Sequence, residues 1–397
     1  MEKNNVYFAK PSQQQLNSLL EHYQTGRYAD AEKLSLSITQ EFPKHQFAWK
    51  VLAVVLKLTG RISESLVASQ KSVQLGPLDA EAHYNLGNTL KEQGRLEEAE
   101  ASYRQAITLK PDFAVAHNNL GVMLQELGRL DEAEASCRQA IELKPDYAEA
   151  HYNLGSTLQN LSKYDEAETS FKKAIELKPD YEAAHHNLDI LLKEKHLLSI
   201  IFKTRKYIKK NKVSSIESSV GLTSNPYITH RNVEVSLLKD FYSNKFKKLD
   251  ETRKRDARYG NGKCSDFKFF KNDSLIIKNI EADLIGIMKK AVNSDIHIFD
   301  SFLNIFQAGS GTTPHTHITN FDKTQGFVKQ KYSLTYYLSV GDQDCSQPGN
   351  LQLYSPYEEI KLSEGMVVIN PADRKHCAVY NGKKDRVMIG VNFYSLL

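Results

Sequence analysis

The sequence predicts a multidomain chain, in which an all-α solenoid of repeats precedes a mainly β domain with flanking helices. The text Ala-Glu-Ala-His-Tyr-Asn-Leu-Gly at residue 80 returns almost unchanged at residues 114 and 148, a period of 34 residues. Self-similarity at this period is typical of stacked helical repeats. After residue 300 the hydrophobic pattern changes to short alternating segments, which indicate strands. A serine-rich and turn-rich stretch, residues 213–226, marks the boundary between the two patterns.

The composition limits the classes of function. Of the 397 residues, 25% are charged and 41% are apolar. No apolar run reaches the roughly 18 residues of a membrane-spanning helix, so none is expected. The N-terminus lacks the apolar core of a signal peptide, and the four scattered cysteines fit a reducing compartment, so we expect a cytoplasmic location. A net charge of +4 is too small to indicate a nucleic-acid partner.

Each repeat keeps small residues, a Leu-Gly pair and a closing proline at fixed positions. These are Leu86-Gly87, Leu120-Gly121 and Leu154-Gly155, then Ala99, Ala133 and Ala167, then Ala106, Ala140 and Ala174, and finally Pro111, Pro145 and Pro179. The pattern resembles the tetratricopeptide (TPR) repeat, which implies paired helices and a solenoid over residues 12–200. Weaker copies occupy residues 12–45 and 46–79. A further helix from residue 182, in which Asp189 replaces the glycine, is expected to cap the array.

Two polar positions recur with the same period. One is occupied by His83, His117, His151 and His185, which we interpret as packing residues rather than metal ligands. The other lies on the first helix of each pair and is occupied by Asn85, Asn119, Asn153 and Asn187. The repeats closely resemble those of O-GlcNAc transferase, which implies that these amides bind the backbone of an extended protein or peptide in the concave groove. The alternative is a consensus composition without a bound ligand.

The C-terminal part is predicted to be one domain, residues 227–397, after a basic helix and linker at residues 201–226. Amphipathic helices are expected at residues 233–249 and 275–292. Eight short strands follow, at residues 301–307, 313–318, 331–339, 350–354, 358–361, 365–370, 376–380 and 386–394. Eight short strands behind two helices are typical of a jelly roll or cupin barrel.

Three histidines of this domain have a spacing that suits a metal. His315 and His317 lie two residues apart on one predicted strand, so they share a face, and His376 comes from another strand. Three imidazoles can occupy three adjacent positions on a metal and leave the others open. That arrangement suits non-haem Fe(II), although imidazole also binds Zn, Cu and Ni.

Four short motifs follow one another in an informative order within residues 301–394. They are Ala308-Gly309 with Pro314-His315-Thr316-His317-Ile318-Thr319-Asn320, then Gly365-Met366-Val367-Val368-Ile369-Asn370-Pro371, then His376, and then Arg386-Val387-Met388-Ile389-Gly390-Val391-Asn392-Phe393. The segment resembles the double-stranded β-helix of the Fe(II)/2-oxoglutarate-dependent dioxygenases, the group of prolyl hydroxylases and aspartyl/asparaginyl β-hydroxylases. The resemblance implies Fe(II) bound by His315 and His376, 2-oxoglutarate as co-substrate and O2 as oxidant. It also implies that Arg386 pairs with the C5 carboxylate of 2-oxoglutarate.

One position departs from that family, in which many members carry aspartate or glutamate where this chain has His317. Three alternatives stay open. His317 ligates the metal, or water fills its place, or a nearby carboxylate reaches in, with Asp322 the closest in sequence. Tyr336 is a candidate to assist at the co-substrate carboxylate, although strand alternation equally predicts a core position for it.

The sequence therefore predicts a 2-oxoglutarate- and Fe(II)-dependent dioxygenase that hydroxylates a protein or peptide side chain recruited by the repeats. Two other hypotheses stay open. One is a hydroxylase of a small molecule, in which the repeats serve assembly only. The other is an interaction scaffold whose barrel binds a metal without turnover.

Overall fold

The structure is a computed structural model that describes residues 10–210, 225–234, 237–238, 263–265, 268–306 and 310–396. It divides into two compact units, residues 1–192 and 193–397. Three sequence predictions fall largely outside the described residues. They are the serine-rich linker, the helix at residues 233–249 and the Ala308-Gly309 turn.

The first unit consists of helix pairs that follow the 34-residue period. Its helices are α1 (Gln13–Gln24), α2 (Tyr28–Glu41), α3 (Gln46–Leu58), α4 (Ile62–Leu75), α5 (Ala80–Glu92), α6 (Leu96–Leu109), α7 (Ala114–Glu126), α8 (Leu130–Leu143), α9 (Ala148–Asn160) and α10 (Tyr164–Leu177). The weaker upstream copies are therefore also helix pairs. An eleventh helix, α11 (Glu182–Lys210), follows as one continuous element through the predicted cap and the basic segment.

The Leu-Gly pairs have a packing reason. A Cβ built on Gly87 would lie 2.8 Å from the Tyr103 ring, and one on Gly155 would lie 2.7 Å from the Phe171 ring. Both aromatic side chains are fully buried on the second helix of the same repeat. Only a residue without a side chain lets the two helices approach this closely, so the glycine sets the spacing within each repeat.

The second unit contains two further α-helices and ten strands in its described part. The helices are α12 (Leu275–Val292) and α13 (Asn320–Gln325). The strands are β1 (Tyr227–His230), β2 (Lys263–Cys264), β3 (Ile296–Phe306), β4 (Ser310–His315), β5 (Lys331–Ser339), β6 (Leu351–Leu353), β7 (Glu358–Ile360), β8 (Met366–Pro371), β9 (His376–Tyr380) and β10 (Arg386–Ser395). All eight predicted strands are present, and β1 and β2 are additional short ones.

These strands form two antiparallel sheets. The larger sheet has the order β1-β8-β5-β10-β3-β2, and the smaller has the order β4-β9-β6-β7. One apolar core lies between the larger sheet and α12, where Ile280 and Leu284 pack against Leu334 and Ile389. A second core, which includes Tyr337, contains residues of both sheets. Both faces of the central strands β5 and β10 are therefore covered, which explains why their residues are almost all buried.

Candidate metal centre

Two of the three candidate histidines lie side by side on adjacent strands of the smaller sheet. His315 is the last residue of β4, and His376 is the first residue of β9. The two residues are register partners in the antiparallel pair, and their ring centroids are 4.7 Å apart. A non-local strand pairing thus brings together two imidazoles that are far apart in the sequence.

His317 reaches the same place by a different route from the one predicted. The strand was expected to run to residue 318, but β4 ends at His315, and its pairing with β9 is irregular between Thr312 and His315. His317 therefore lies in the segment that follows the strand, where its backbone N–H donates to the Ala372 carbonyl at 2.9 Å. Its Nε2 lies 3.3 Å from Nε2 of His376.

The three imidazoles form a cluster of metal-ligand geometry. One ring nitrogen from each of His315, His317 and His376 lies within 4.8 Å of the other two. Nitrogens bound to one ion at about 2.1 Å must lie roughly 3–3.5 Å apart, so small rotations of the side chains would complete the contact. Within the described residues these three histidines form the one cluster of potential ligands of this kind.

Backbone carbonyls orient two of the rings. Nδ1 of His315 lies 2.7 Å from the Thr313 carbonyl, and Nδ1 of His376 lies 3.1 Å from the Arg374 carbonyl. A carbonyl can only accept, so each Nδ1 carries the proton and each Nε2 keeps its lone pair. This is the tautomer that a histidine needs to bind a metal through Nε2.

The surroundings of His376 favour its neutral form. Burial, with a further contribution from the neighbouring His315, lowers the pKa of His376 to about 4. The ring is therefore unprotonated at neutral pH, and no proton has to be displaced before a cation binds.

A cavity of about 50 Å³ opens beside the three histidines. It combines apolar groups, which include Phe302, Leu351 and Met388, with neutral polar groups. The polar lining residues other than the three histidines are Asn304, Thr312, Ser333, Thr335, Tyr337 and Cys377. Tyr337 is not among the residues predicted from the sequence. Ser333, Thr335 and Tyr337 alternate along β5, and that polar alternation within a buried strand was the available signal.

Two candidates lie elsewhere. Asp322 is fully buried and lies outside the three-histidine cluster, with its carboxylate bonded to Lys331, Tyr394 and Thr319. The structure thus does not bring this carboxylate to the histidines. Tyr336 faces the first core, and its hydroxyl donates to the Asn232 carbonyl at 3.0 Å. It occupies the core position that alternation predicted.

Arg386 does not line the cavity, but it lies next to two residues that do. It is fully buried on β10, on the same strand face as Met388, and its register partner is Phe306. Both of these neighbours line the cavity. The guanidinium donates to the carbonyls of Pro348 and Gly349 and lies over the Tyr380 ring.

Sequence profiles of the tetratricopeptide repeat match residues 68–101, 87–128 and 112–180. The first unit contains TPR repeats. Similar solved structures include MamA (24% identity, 42% of this chain and 93% of that one, TM-score 0.38). They also include YrrB, a TPR protein with an unusual peptide-binding site (21% identity, 45% and 91%, TM-score 0.39), and TTC0263, a thermophilic TPR protein in Thermus thermophilus (25% identity, 45% and 98%, TM-score 0.39). No curated protein matches the chain.

The recurrent histidines of the TPR repeats have a structural role, as predicted. Nε2 of His83, His117, His151 and His185 lies 2.9 to 3.0 Å from the carbonyl of the proline six residues earlier. Each histidine thereby links the start of its repeat to the proline that precedes it.

Among the described residues, every helix is too short or too polar to span a bilayer.

The recurrent asparagines of the TPR repeats link one repeat to the next. Asn119 donates to the Tyr84 hydroxyl at 3.1 Å, and Asn187 donates to the Tyr152 hydroxyl at 3.1 Å. Asn153 donates to the Asn118 side chain at 2.9 Å. These amides form a polar row along the first helices, and part of their donor capacity is used within the protein.

Proposed function

We propose that the chain is an Fe(II)- and 2-oxoglutarate-dependent dioxygenase that hydroxylates a side chain of a protein or peptide recruited by its TPR repeats. The observation that carries the proposal is the cluster of His315, His317 and His376 beside a small cavity. The two antiparallel sheets around this cavity are compatible with a jelly-roll or double-stranded β-helix fold.

The donor set fits a catalytic metal rather than a structural one. Three neutral imidazoles would hold the ion through Nε2 and leave its remaining positions open for exogenous ligands. Fe(II) bound in this way, together with 2-oxoglutarate and O2, would supply the oxidising chemistry. The protein's own task is to orient the substrate and to exclude water. The apolar side chains of Phe302, Leu351 and Met388 suit the second part of that task.

Arg386 supports the co-substrate part of the proposal. A buried guanidinium is costly unless it is paired, and within the described part of the chain no carboxylate pairs with Arg386. Burial also lowers the pKa of the Arg386 guanidinium, because the charged form loses its solvation. Phe306 and Met388, which neighbour Arg386, line the cavity, so an anionic ligand bound there would lie near this cation and relieve part of the cost. The Tyr337 hydroxyl lies on the same side and would offer a neutral hydrogen bond.

One observation favours the rival scaffold function, in which the second unit binds a metal without turnover. The Arg386 guanidinium is already bonded to backbone carbonyls of residues 340, 348 and 349. A carboxylate would have to replace some of these bonds. If that exchange is unfavourable, the site binds a metal but not 2-oxoglutarate.

The recruitment part rests on the TPR repeats. Their first helices present a row of amides and tyrosine hydroxyls, and such groups suit the backbone of an extended peptide. The row recurs from one repeat to the next, so its natural complement is a ligand whose polar groups also recur. A peptide backbone has this property and a small molecule does not, so a protein or peptide substrate is favoured.

The experiment is anaerobic addition of Fe(II) and then 2-oxoglutarate to metal-free protein, followed by visible absorption. We expect a charge-transfer band that requires both additions and is lost in His376→Ala. In Arg386→Ala, we expect the apparent affinity for 2-oxoglutarate, read from the same band, to fall at least tenfold. A tenfold loss corresponds to about 1.4 kcal/mol, which is modest for a charge-assisted bond. Iron binding without any band would instead favour the scaffold. Unchanged affinity in Arg386→Ala would remove the role of that residue.

A further inference from the structure

His317 is the one member of the three-histidine cluster that no strand holds. His315 ends β4 and His376 begins β9, so a ladder of backbone hydrogen bonds positions both. His317 follows the end of β4 and precedes α13. Something other than strand pairing must hold this segment if the third imidazole is to stay within ligand distance of the others.

A buried polar network, which we call the Asp322 network, closes this segment at its far end. Its members are Thr319, Asp322, Lys331 and Tyr394. Oδ2 of Asp322 accepts from the Thr319 backbone N–H and hydroxyl, both at 2.7 Å, and from Nζ of Lys331 at 2.8 Å. Oδ1 accepts from the Tyr394 hydroxyl at 2.6 Å.

The network is more than a helix cap. Thr319 and Asp322 form a capping box for α13, which an exposed loop could also contain. Here, however, Asp322 and Tyr394 have no exposed surface and Lys331 is 3% exposed. Burial raises the pKa of the Tyr394 phenol, so the hydroxyl stays protonated and continues to donate. A fully bonded, buried carboxylate of this kind fixes its surroundings rigidly.

Lys331 connects this network to the other end of the segment. Its backbone carbonyl accepts from the Ala372 N–H at 2.9 Å, and the Ala372 carbonyl accepts from the His317 N–H at 2.9 Å. Its side chain meanwhile binds Asp322. The segment from His317 to Asp322 is thus anchored to one residue of β5 at both ends, once through backbone bonds and once through a salt bridge.

We infer that Asp322 is a positioning residue for the metal centre, acting through Lys331 and Thr319 to hold His317 in place as the third ligand. The inference rests on the proposed metal site and deepens it. The carboxylate that is a candidate ligand by its sequence position would serve the metal without touching it. The site would then retain three imidazoles because the carboxylate is committed elsewhere.

The test is titration of metal-free protein with Co(II), whose visible spectrum reports the number of nitrogen ligands. We compare wild type, Asp322→Asn, His317→Ala and the double variant. We expect both single changes to weaken Co(II) binding by about 10- to 100-fold and to change the spectrum in the same way. In the double variant we expect no further loss beyond His317→Ala, because Asp322 would act only through that ligand.

Two milder variants keep the test decisive if Asp322→Asn fails to fold. Tyr394→Phe removes one hydrogen bond to Asp322, and Thr319→Val removes the two that the Thr319 hydroxyl makes with the carboxylate and the backbone N–H of Asp322. Both variants should weaken Co(II) binding by a smaller factor in the same direction. The matched control is Asp373→Asn. Asp373 follows Ala372 in the chain, and the change removes its ion pair with the exposed Lys329. It should leave Co(II) binding unchanged. Hydrogen exchange in metal-free protein gives a second reading, since residues 316–322 should exchange faster in every network variant and not in the control.

The possible failures can be distinguished. If wild-type protein gives no histidine-dependent Co(II) spectrum, the proposed metal site is wrong and this inference is wrong with it. If wild type binds Co(II) and folded network variants bind it equally well, only the positioning role is wrong. The positioning role is also overturned if Asp322→Asn costs the same factor with and without His317.

Discussion

At the residue scale, a histidine pair outside the metal centre gives the second unit a pH-dependent stability. His297, at the start of β3, contacts His196 on α11 in an edge-on arrangement, with ring centroids 5.6 Å apart and planes inclined at 60°. Burial, and next the neighbouring His196, lowers the pKa of His297 below 6.5. Because the unfolded chain takes up this proton first, the contribution of neutral His297 to stability is complete above pH 6.5. It is lost as the pH falls through the lower pKa of the folded state.

Replacing His297 with phenylalanine should remove that loss. The ring and its edge-on contact are kept, but the group no longer titrates. We expect the free energy of unfolding of His297→Phe, relative to wild type, to become more favourable as the pH falls from 7.5 to 5. Urea unfolding at the two pH values, with a chelator present so that the metal centre stays empty in both proteins, measures this. An equal difference at both pH values would contradict the assignment.

The role of a residue could be predicted from the sequence where a motif indicates it. It could not be predicted where the role depends on which face of a strand points inward. The order of His315, His317 and His376 in the sequence was enough to expect that they meet. Which of two adjacent tyrosines lines the cavity depends on the face that β5 turns inward, and the residue is Tyr337 rather than Tyr336. The sequence spacing Thr319-x-x-Asp322 did contain a capping signature, which would have placed Asp322 at a helix start.

At the element scale, a helical glycine in the TPR repeats can be compared with a helical glycine in the second unit. The first lies against a neighbouring helix, and the second has open space around it and serves as the control. Gly155 and Gly286 both lie inside helices, where glycine is intrinsically unfavourable by about 0.5–1 kcal/mol relative to alanine. A Cβ on Gly155 would meet the Phe171 ring at 2.7 Å, whereas one on Gly286 would have nothing within 4 Å.

The same substitution should therefore have opposite signs at the two positions. We expect Gly155→Ala to destabilise the repeats by about 1–3 kcal/mol, because the Phe171 ring must move out of a filled space. We expect Gly286→Ala to stabilise its helix by about 0.5–1 kcal/mol. Calorimetry measures both, and fluorescence of Trp49, the one tryptophan of the sequence, reports the repeats separately. Stabilisation by Gly155→Ala would show that the repeat tolerates wider helix spacing.

Element boundaries were predicted well where periodicity alone decides them. The strands at residues 331–339 and 376–380 have the predicted ends, because alternation within a fully paired strand leaves little freedom. The strand that carries His315 ends three residues early. Its pairing with β9 becomes irregular, and the next residues are committed to the Ala372 contact and the α13 cap. Such competition between a strand and a long-range contact is not visible in local periodicity.

At the scale of the whole molecule, the proposed function assigns recruitment to one compact unit and chemistry to the other. Each unit has its own buried core, so a change in one site should not alter the other. The difficulty is that most of the recurrent asparagines also join neighbouring repeats, so replacing them would lower stability and binding together.

Asn85 avoids this problem. Its counterparts donate to side chains at two positions of the preceding repeat, which upstream of Asn85 are occupied by Lys50 and Val54. Among the described residues, its side chain has no hydrogen-bond partner.

Asn85→Ala therefore tests recruitment without weakening the repeats. We would select a peptide from a random displayed library on wild-type protein and measure its affinity by fluorescence anisotropy. Asn85→Ala should weaken binding by about three- to tenfold, the worth of one hydrogen bond of about 1 kcal/mol, and should leave the Trp49 unfolding midpoint and the charge-transfer band unchanged. His376→Ala should do the reverse, abolishing the band while the peptide still binds. If Asn85→Ala binds the peptide as tightly as wild type, the amide row is not the recruiting surface. If His376→Ala no longer binds the peptide, recruitment and chemistry are not divided between the two units.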